Sequence, residues 1–173
     1  MKKRNQGFSL VELIVVVLIM AIIAVALAPQ VMKWVANSRI ATDVQTRDSL
    51  KEQCQLALAD VHAFDMVKNG GYMITITKDA SGNTSFVYDD ATGSGITPDP
   101  STDAYWANLL KVTGDSDYNG FKERFKIKSN AESSDIVLKV KVYEGGYTIA
   151  SLTGIDGNDD IEVAESNDPF EEE

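Results

Sequence analysis

Residues 8–28 form a run of 21 in which only Ser9 and Glu12 are polar. No other feature of the chain restricts its fold as strongly. At 1.5 Å per residue, such a run in helical form spans about 30 Å, the thickness of a bilayer's hydrocarbon core. Lys2, Lys3 and Arg4 stand just before it. Positive charge on the cytoplasmic flank of membrane helices predicts that residues 1–7 stay in the cytoplasm and that everything after Pro29 lies outside.

The remaining charge is uneven. Sixteen Lys and Arg oppose 26 Asp and Glu, for a net −10. Nine of the acids and none of the bases fall in residues 154–173, so residues 1–153 carry only −1. An acidic chain does not make the distributed phosphate contacts of a general nucleic-acid binder. Cys54 is the only cysteine, which allows no intramolecular disulfide and no CxxC pair, and His62 is the only histidine, which excludes a His-rich metal site. No GxSxG, GxGxxG, Walker-type loop or HExxH occurs. The residues point away from an enzyme. The 173-residue length and 44% hydrophobic content predict one folded domain with at most an appended segment.

Three readings of the N-terminal segment compete. A secretory signal peptide has small-x-small cut sites in Ala24-Val25-Ala26 and Ala26-Leu27-Ala28. However, its uninterrupted apolar stretch, 13–28, holds 16 residues, more than the ~7–15 of such cores. A plain single-pass anchor is the second reading. Neither explains Glu12, because a carboxylate within an apolar helix costs roughly 2.5–3.5 kcal/mol and is read as functional by default. The structural alternative is that Glu12 sits at the interface, beside the positive end of the helix.

The third reading rests on a motif. Gly7-Phe8-Ser9-Leu10-Val11-Glu12-Leu13, after a short basic leader and before the apolar core, resembles the type IV prepilin signature. The resemblance implies that a membrane-embedded prepilin peptidase cuts between Gly7 and Phe8 and N-methylates Phe8. It also implies that the apolar helix stays in the mature chain and that Glu12 pairs with the N-terminal amine of a neighbouring subunit during assembly. Opposite charges in a bilayer or fibre core attract far more strongly than in water, and removing one strands the other. Pro29 would kink or locally melt a helix; type IV pilins have a helix-breaking Pro at the corresponding place. The alternative, that Pro29 simply ends a membrane helix, stays open.

Beyond Pro29, Ile40, Val44, Leu50, Cys54, Leu58 and Val61 recur at three-to-four spacing, with Arg39, Asp43, Arg47, Asp48 and Glu52 on other positions. This predicts a continued amphipathic helix stopped by Asn69-Gly70-Gly71. One interrupted helix over 8–68 would be about 90 Å long, too long for a compact domain. Its first half must be buried in a membrane or in other subunits. Residues 72–77 and 84–88 read as strands around a turn at 79–83, 89–102 as a loop, and 103–110 as a short helix capped by Asp103. Tyr105 and Trp106 are expected to anchor that helix on the sheet. Three further strands are expected at 121–128, 135–143 and 147–152, the last two joined at Gly145-Gly146.

The expected fold class is α+β: a long N-terminal α-helix, hydrophobic in its first half, packed on an antiparallel β-sheet headgroup. This is also the pilin fold. The expected organisation is a prepilin leader at 1–7, a transmembrane or fibre-core half-helix at 8–35, and a headgroup at 36–173 ending in an acidic, partly extended or loosely attached tail. Many pilins of Gram-negative bacteria close a C-terminal loop with two cysteines. Their absence here points to a Gram-positive lineage, most like a clostridial major type IV pilin.

Two segments invite a metal reading. Asp115-Ser116-Asp117-Tyr118-Asn119-Gly120 matches the first half of an EF-hand loop, yet Lys126 stands where its bidentate Glu belongs. Residues 156–162 gather carboxylates without a recognised ligand geometry. Turn formation is the simpler use of both, so no cofactor is expected, and calcium is the one candidate. Lys122, Arg124, Lys126 and Lys128, extended by Lys139 and Lys141, would make a basic stripe on the sheet. That stripe is either solvated or docks an acidic tail, its own or a neighbour's. Cys54 is expected in the core, and His62 as an ordinary surface or half-buried histidine.

The resemblance thus implies a structural subunit, with no catalytic residue, that polymerises into an extracellular fibre for adhesion, motility or biofilm formation. Its partners would be other copies of itself, the prepilin peptidase, the pilus assembly machinery, the cytoplasmic membrane before assembly, and an unidentified receptor. The alternatives are a minor pilin, a type II secretion-like pseudopilin, or a non-polymerising single-pass membrane protein with an extracellular binding domain.

Overall fold

The computed structural model describes residues 9–67, 71–90, 101, 103–130, 135–143 and 146–155. The chain divides into two compact units, Met1–Asn37 and Ser38–Glu173. Helix α1, Leu10–Ala57, begins in the first and ends in the second.

The described part of the first unit is helical, and every residue from 9 to 36 is exposed. Its surface is mostly Leu, Ile, Val, Met and Ala, with Leu10, Val25 and Met32 each at least two-thirds exposed. Pro29 lies inside α1 and does not end it. A proline costs a helix one N–H donor and a ring clash, but long helical stretches on both sides carry the ladder past it.

The second unit packs the rest of α1 on a sheet. After α1 come α2 (Val61–Val67), β1 (Tyr72–Lys78), β2 (Thr84–Asp90), α3 (Ala104–Thr113), α4 (Tyr118–Arg124), β3 (Ile136–Val142) and β4 (Thr148–Thr153). The four strands pair antiparallel in the order β2-β1-β3-β4. Burial alternates along β3, with Ile136, Leu138, Val140 and Val142 inward and Val137, Lys139 and Lys141 on the other face. Ile74, Ile76, Tyr88 and Leu152 join that inner face, and Leu50, Cys54 and Ala57 of α1 share its hydrophobic cluster. The α+β architecture is therefore as expected.

Three local features follow from side-chain chemistry. The Asp103 carboxylate accepts from Trp106 N at 2.9 Å and caps α3, while the Tyr88 hydroxyl donates to its other oxygen at 3.2 Å. Tyr105 and Trp106 are fully buried, with Tyr105 stacked on Tyr72 at 5.0 Å and Trp106 against Phe121 at 4.9 Å. Gly114 ends α3 with φ 75°, a left-handed conformation that glycine adopts without strain.

The structure also corrects three expectations. The helix after Pro29 does not run unbroken to residue 68. It turns at Leu58–Asp60, and the Asp60 carboxylate then caps α2 by accepting from His62 N at 2.9 Å. Residues 121–128 are not a strand. The Asp117 carboxylate accepts from Gly120 N at 2.9 Å and starts α4 instead, and Phe121 and Phe125, four apart, bury one side of that turn. Apolar positions at 121 and 125 satisfy a helical spacing as well as a strand's. The sheet accordingly has four strands among the described residues rather than five.

Candidate functional site

The N-terminal motif is the candidate site. Gly7 and Phe8, where cleavage is expected, lie outside the described residues. The description begins at Ser9, and there the sequence Ser9-Leu10-Val11-Glu12 forms part of a capping box. Ser9 N donates to Glu12 Oε2 at 3.1 Å, and Leu13 N donates to Ser9 O at 3.3 Å, the first helical bond. In a single chain, then, Glu12 lies in the first turn of α1, turned back over the helix start. Its negative charge is favoured there by the unpaired amides of the helix end. This is the geometry of the structural alternative above. A carboxylate has about four lone-pair sites, so one amide leaves it capacity for a cationic donor.

C-terminal to Glu12, the site is a surface rather than a cluster. Leu13, Val17 and Leu27 are each more than half exposed, and α1 is long and apolar enough to cross a membrane, with none of its most apolar window buried. A continuous apolar surface on this scale marks a lipid or protein contact.

On the second unit, the candidate residues resolve into structural roles. Asp115 is held by Arg124, whose Nε and Nη2 donate to it at 2.9–3.1 Å. Burial works against its ionisation, but the Arg124 hydrogen bonds and charge, with a hydrogen bond from Thr113, hold the carboxyl below its usual range. Asp117 is committed to the α4 cap. No group of three His, Cys, Asp or Glu residues that could hold a metal exists among the described residues. The second carboxylate-rich segment, 156–162, lies outside them. Cys54 is fully buried, and burial pushes its thiol up to about 12, so it is an unreactive core residue. His62 is exposed beside Asp60, its Nδ1 3.7 Å from Asp60 Oδ1.

The basic stripe is not one face. Lys122 and Arg124 belong to α4, Lys126 and Lys128 to the segment after it, and Lys139 and Lys141 to β3.

One functional-looking residue escaped sequence reasoning. Asp43 is fully buried in α1, where it accepts from Lys128 N at 2.8 Å and Ser129 N at 2.7 Å. The carbonyls of the same turn face a cation: Lys78 Nζ donates to Ser129 O at 2.5 Å and to Ile127 O at 3.4 Å. A carboxylate on one side and an ammonium on the other thus clamp the segment between α4 and β3. The signal was present, since Asp43 lies three residues after Ile40 and seven before Leu50, on the apolar stripe itself.

Residues 2–28 match the family model described as the prokaryotic N-terminal methylation motif. That match supports a type IV pilin-like prepilin, a prepilin-type substrate of prepilin peptidase, carrying a motif of structural subunits. No curated protein and no solved structure matches the chain. The expected clostridial, Gram-positive origin gains no support from them.

Proposed function

We propose that this chain is a structural subunit of a type IV pilus, cut between Gly7 and Phe8, N-methylated on Phe8, and polymerised through its apolar half-helix into an extracellular fibre. The observation that carries the reading is the methylation motif over residues 2–28. It takes in most of the exposed apolar surface of α1, which needs a partner. Before assembly the bilayer covers that surface, with residues 1–7 in the cytoplasm; in the fibre, the half-helices of neighbouring copies do. Burial moves the helix from one apolar solvent to another, so a separate assembly machine must supply the work of extraction.

In this reading residues 1–7 are the leader, 8–35 the fibre core and 36–173 the headgroup. Glu12 exchanges the Ser9 amide for the cationic N-terminus of a neighbour, and Pro29 is the place where α1 can open without losing a hydrogen-bond donor. The chain contributes no catalytic group, and the role needs no cofactor. Calcium enters only if residues 156–162 take it up, which calorimetric titration of the whole chain reads directly. Adhesion, motility and biofilm formation are the roles that such a fibre would serve. A minor pilin or a secretion pseudopilin shares the same processing and differs in its abundance in the fibre.

Intact-mass and N-terminal peptide spectrometry on protein sheared from the cell surface tests the reading. The expected mature chain starts at N-methyl-Phe8. A start at Met1 would mean a simple anchor, and a start near Pro29 a secreted soluble protein; either would overturn it.

A further inference from the structure

The apolar surface of α1 does not stop with the apolar run. That run ends at Ala28, but the helix continues past Pro29, and residues 31–35 read Val-Met-Lys-Trp-Val. Met32 is 67% and Trp34 63% exposed, and Val31 and Val35 are each nearly half exposed. Ile40 is the first buried residue of the helix. Scattered single hydrophobes on a surface are ordinary, but a cluster continuous with an apolar run marks a contact. Tryptophan beside lysine at the end of such a run is the composition of a membrane–water interface, where an indole and an ammonium both sit at headgroup level.

Two registers of α1 in a bilayer fit a hydrocarbon core of about 30 Å. With that core over residues 8–28, Glu12 lies about 6 Å inside it and Trp34 about 9 Å beyond its outer edge. The interfacial layer on each side is only about 5–7 Å deep, so the indole would stand in water. Moving the helix four residues toward the cytoplasm sets the core over Glu12 to Met32, again about 30 Å. Glu12 then stands at the inner edge, its carboxylate already turned back toward the helix start, where it accepts from Ser9 N at 3.1 Å. Trp34 stands about 3 Å beyond the outer edge, within the interfacial layer. This shift takes a charge out of the hydrocarbon and admits in its place only Pro29 and the neutral amide of Gln30, close to the outer edge.

We propose that Lys33 and Trp34 are the outer interfacial anchor of the unassembled chain, seated at the phosphate level of the lipid, and that the membrane span runs from Glu12 to Met32. The anchor rests on the membrane stage of the function proposed above, whose outer limit it moves from Pro29 to Met32. Lys33 meets the lipid phosphates, and the indole of Trp34 lies across the boundary between headgroups and acyl chains.

The test reads Trp34 fluorescence from the full chain in phosphatidylcholine–phosphatidylglycerol vesicles at high lipid excess. The chain has two tryptophans, and Trp106 is fully buried in the second unit. Subtracting the spectrum of Trp34→Phe therefore isolates the anchor and leaves the core untouched. The difference emission should lie to the blue of indole in water. Lipid brominated near the headgroup should quench it several-fold more than lipid brominated near the chain ends. Ile22→Trp in the Trp34→Phe background, midway between Glu12 and Met32, should reverse that preference. Quenching of Trp34 by aqueous iodide but by neither lipid would put the indole in water and overturn the proposal, returning the limit to Pro29. Stronger quenching by the deep bromines would also overturn it, with Trp34 inside the hydrocarbon. So would blue emission that no lipid quenches, because another copy of the chain would then cover the indole. Flotation of the same vesicles separates these outcomes from failure of the membrane reading itself: a chain that does not float with the lipid overturns that reading and the anchor with it.

Discussion

Replacing Asp43 with alanine removes both acceptors for the amides of Lys128 and Ser129, at a position with no access to water. The Ser129 amide, in a buried contact, costs about 1–3 kcal/mol when left unsatisfied, and the part-buried Lys128 amide costs less. Lys78 continues to hold the carbonyl side of the turn, so the segment does not simply swing out to solvate its amides. The expected loss is about 3–4 kcal/mol, since both lost bonds are to a charged carboxylate, and this is a large part of a typical total of roughly 5–15 kcal/mol. For a domain of this size the midpoint of thermal unfolding should fall by about 10–15 °C. Asp48→Ala, on the exposed side of the same helix, should change stability by no more than about 0.5 kcal/mol. The assay is urea and thermal unfolding of the full chain in detergent, in a Trp34→Phe background so that buried Trp106 is the only indole reporter. If Asp43→Ala lies within about 1 kcal/mol of the parent, or costs no more than Asp48→Ala, the clamp does not hold the fold together.

Glu12→Ala should leave the chain in the membrane but cut assembled fibre by at least about tenfold, measured as the ratio of sheared to membrane-bound subunit, because the incoming amine loses its partner. An unchanged ratio would confine Glu12 to its capping role. Asp115 has a lowered folded pKa, so its contribution to stability is fully present above the unfolded value of about 3.9 and is lost as pH falls through the folded value. Asp115→Asn should therefore be less stable than the parent at neutral pH, with a shallower loss on acidification below about pH 4; parallel acid limbs in the two chains would contradict the Arg124 contact. Cys54 should resist iodoacetamide at pH 8 in the folded chain and react readily in denaturant. Appreciable labelling of the native state, read by mass, would mean that the helix–sheet core opens.

Much of this organisation was legible in the sequence because it depends on local chemistry. The apolar run needs no tertiary partner to be a helix from Leu10 onward, Asp103 caps α3 through a carboxylate three residues from its donor, and the alternation in β1 and β3 follows from one buried face. The Ser9–Glu12 contact is likewise written in a four-residue pattern. Tertiary structure decided the rest. Residues 121–125 are consistent with a strand or a helical turn, and the choice fell to the Asp117 cap and to Trp106, which receives Phe121. Asp43 falls at a core spacing in α1, but what meets it there is decided only when residues 128 and 129, 85 and 86 positions away, bring two amides to it. Burial makes a carboxylate costly or stabilising according to what meets it, and for Asp43 only the folded chain supplies the donors that meet it.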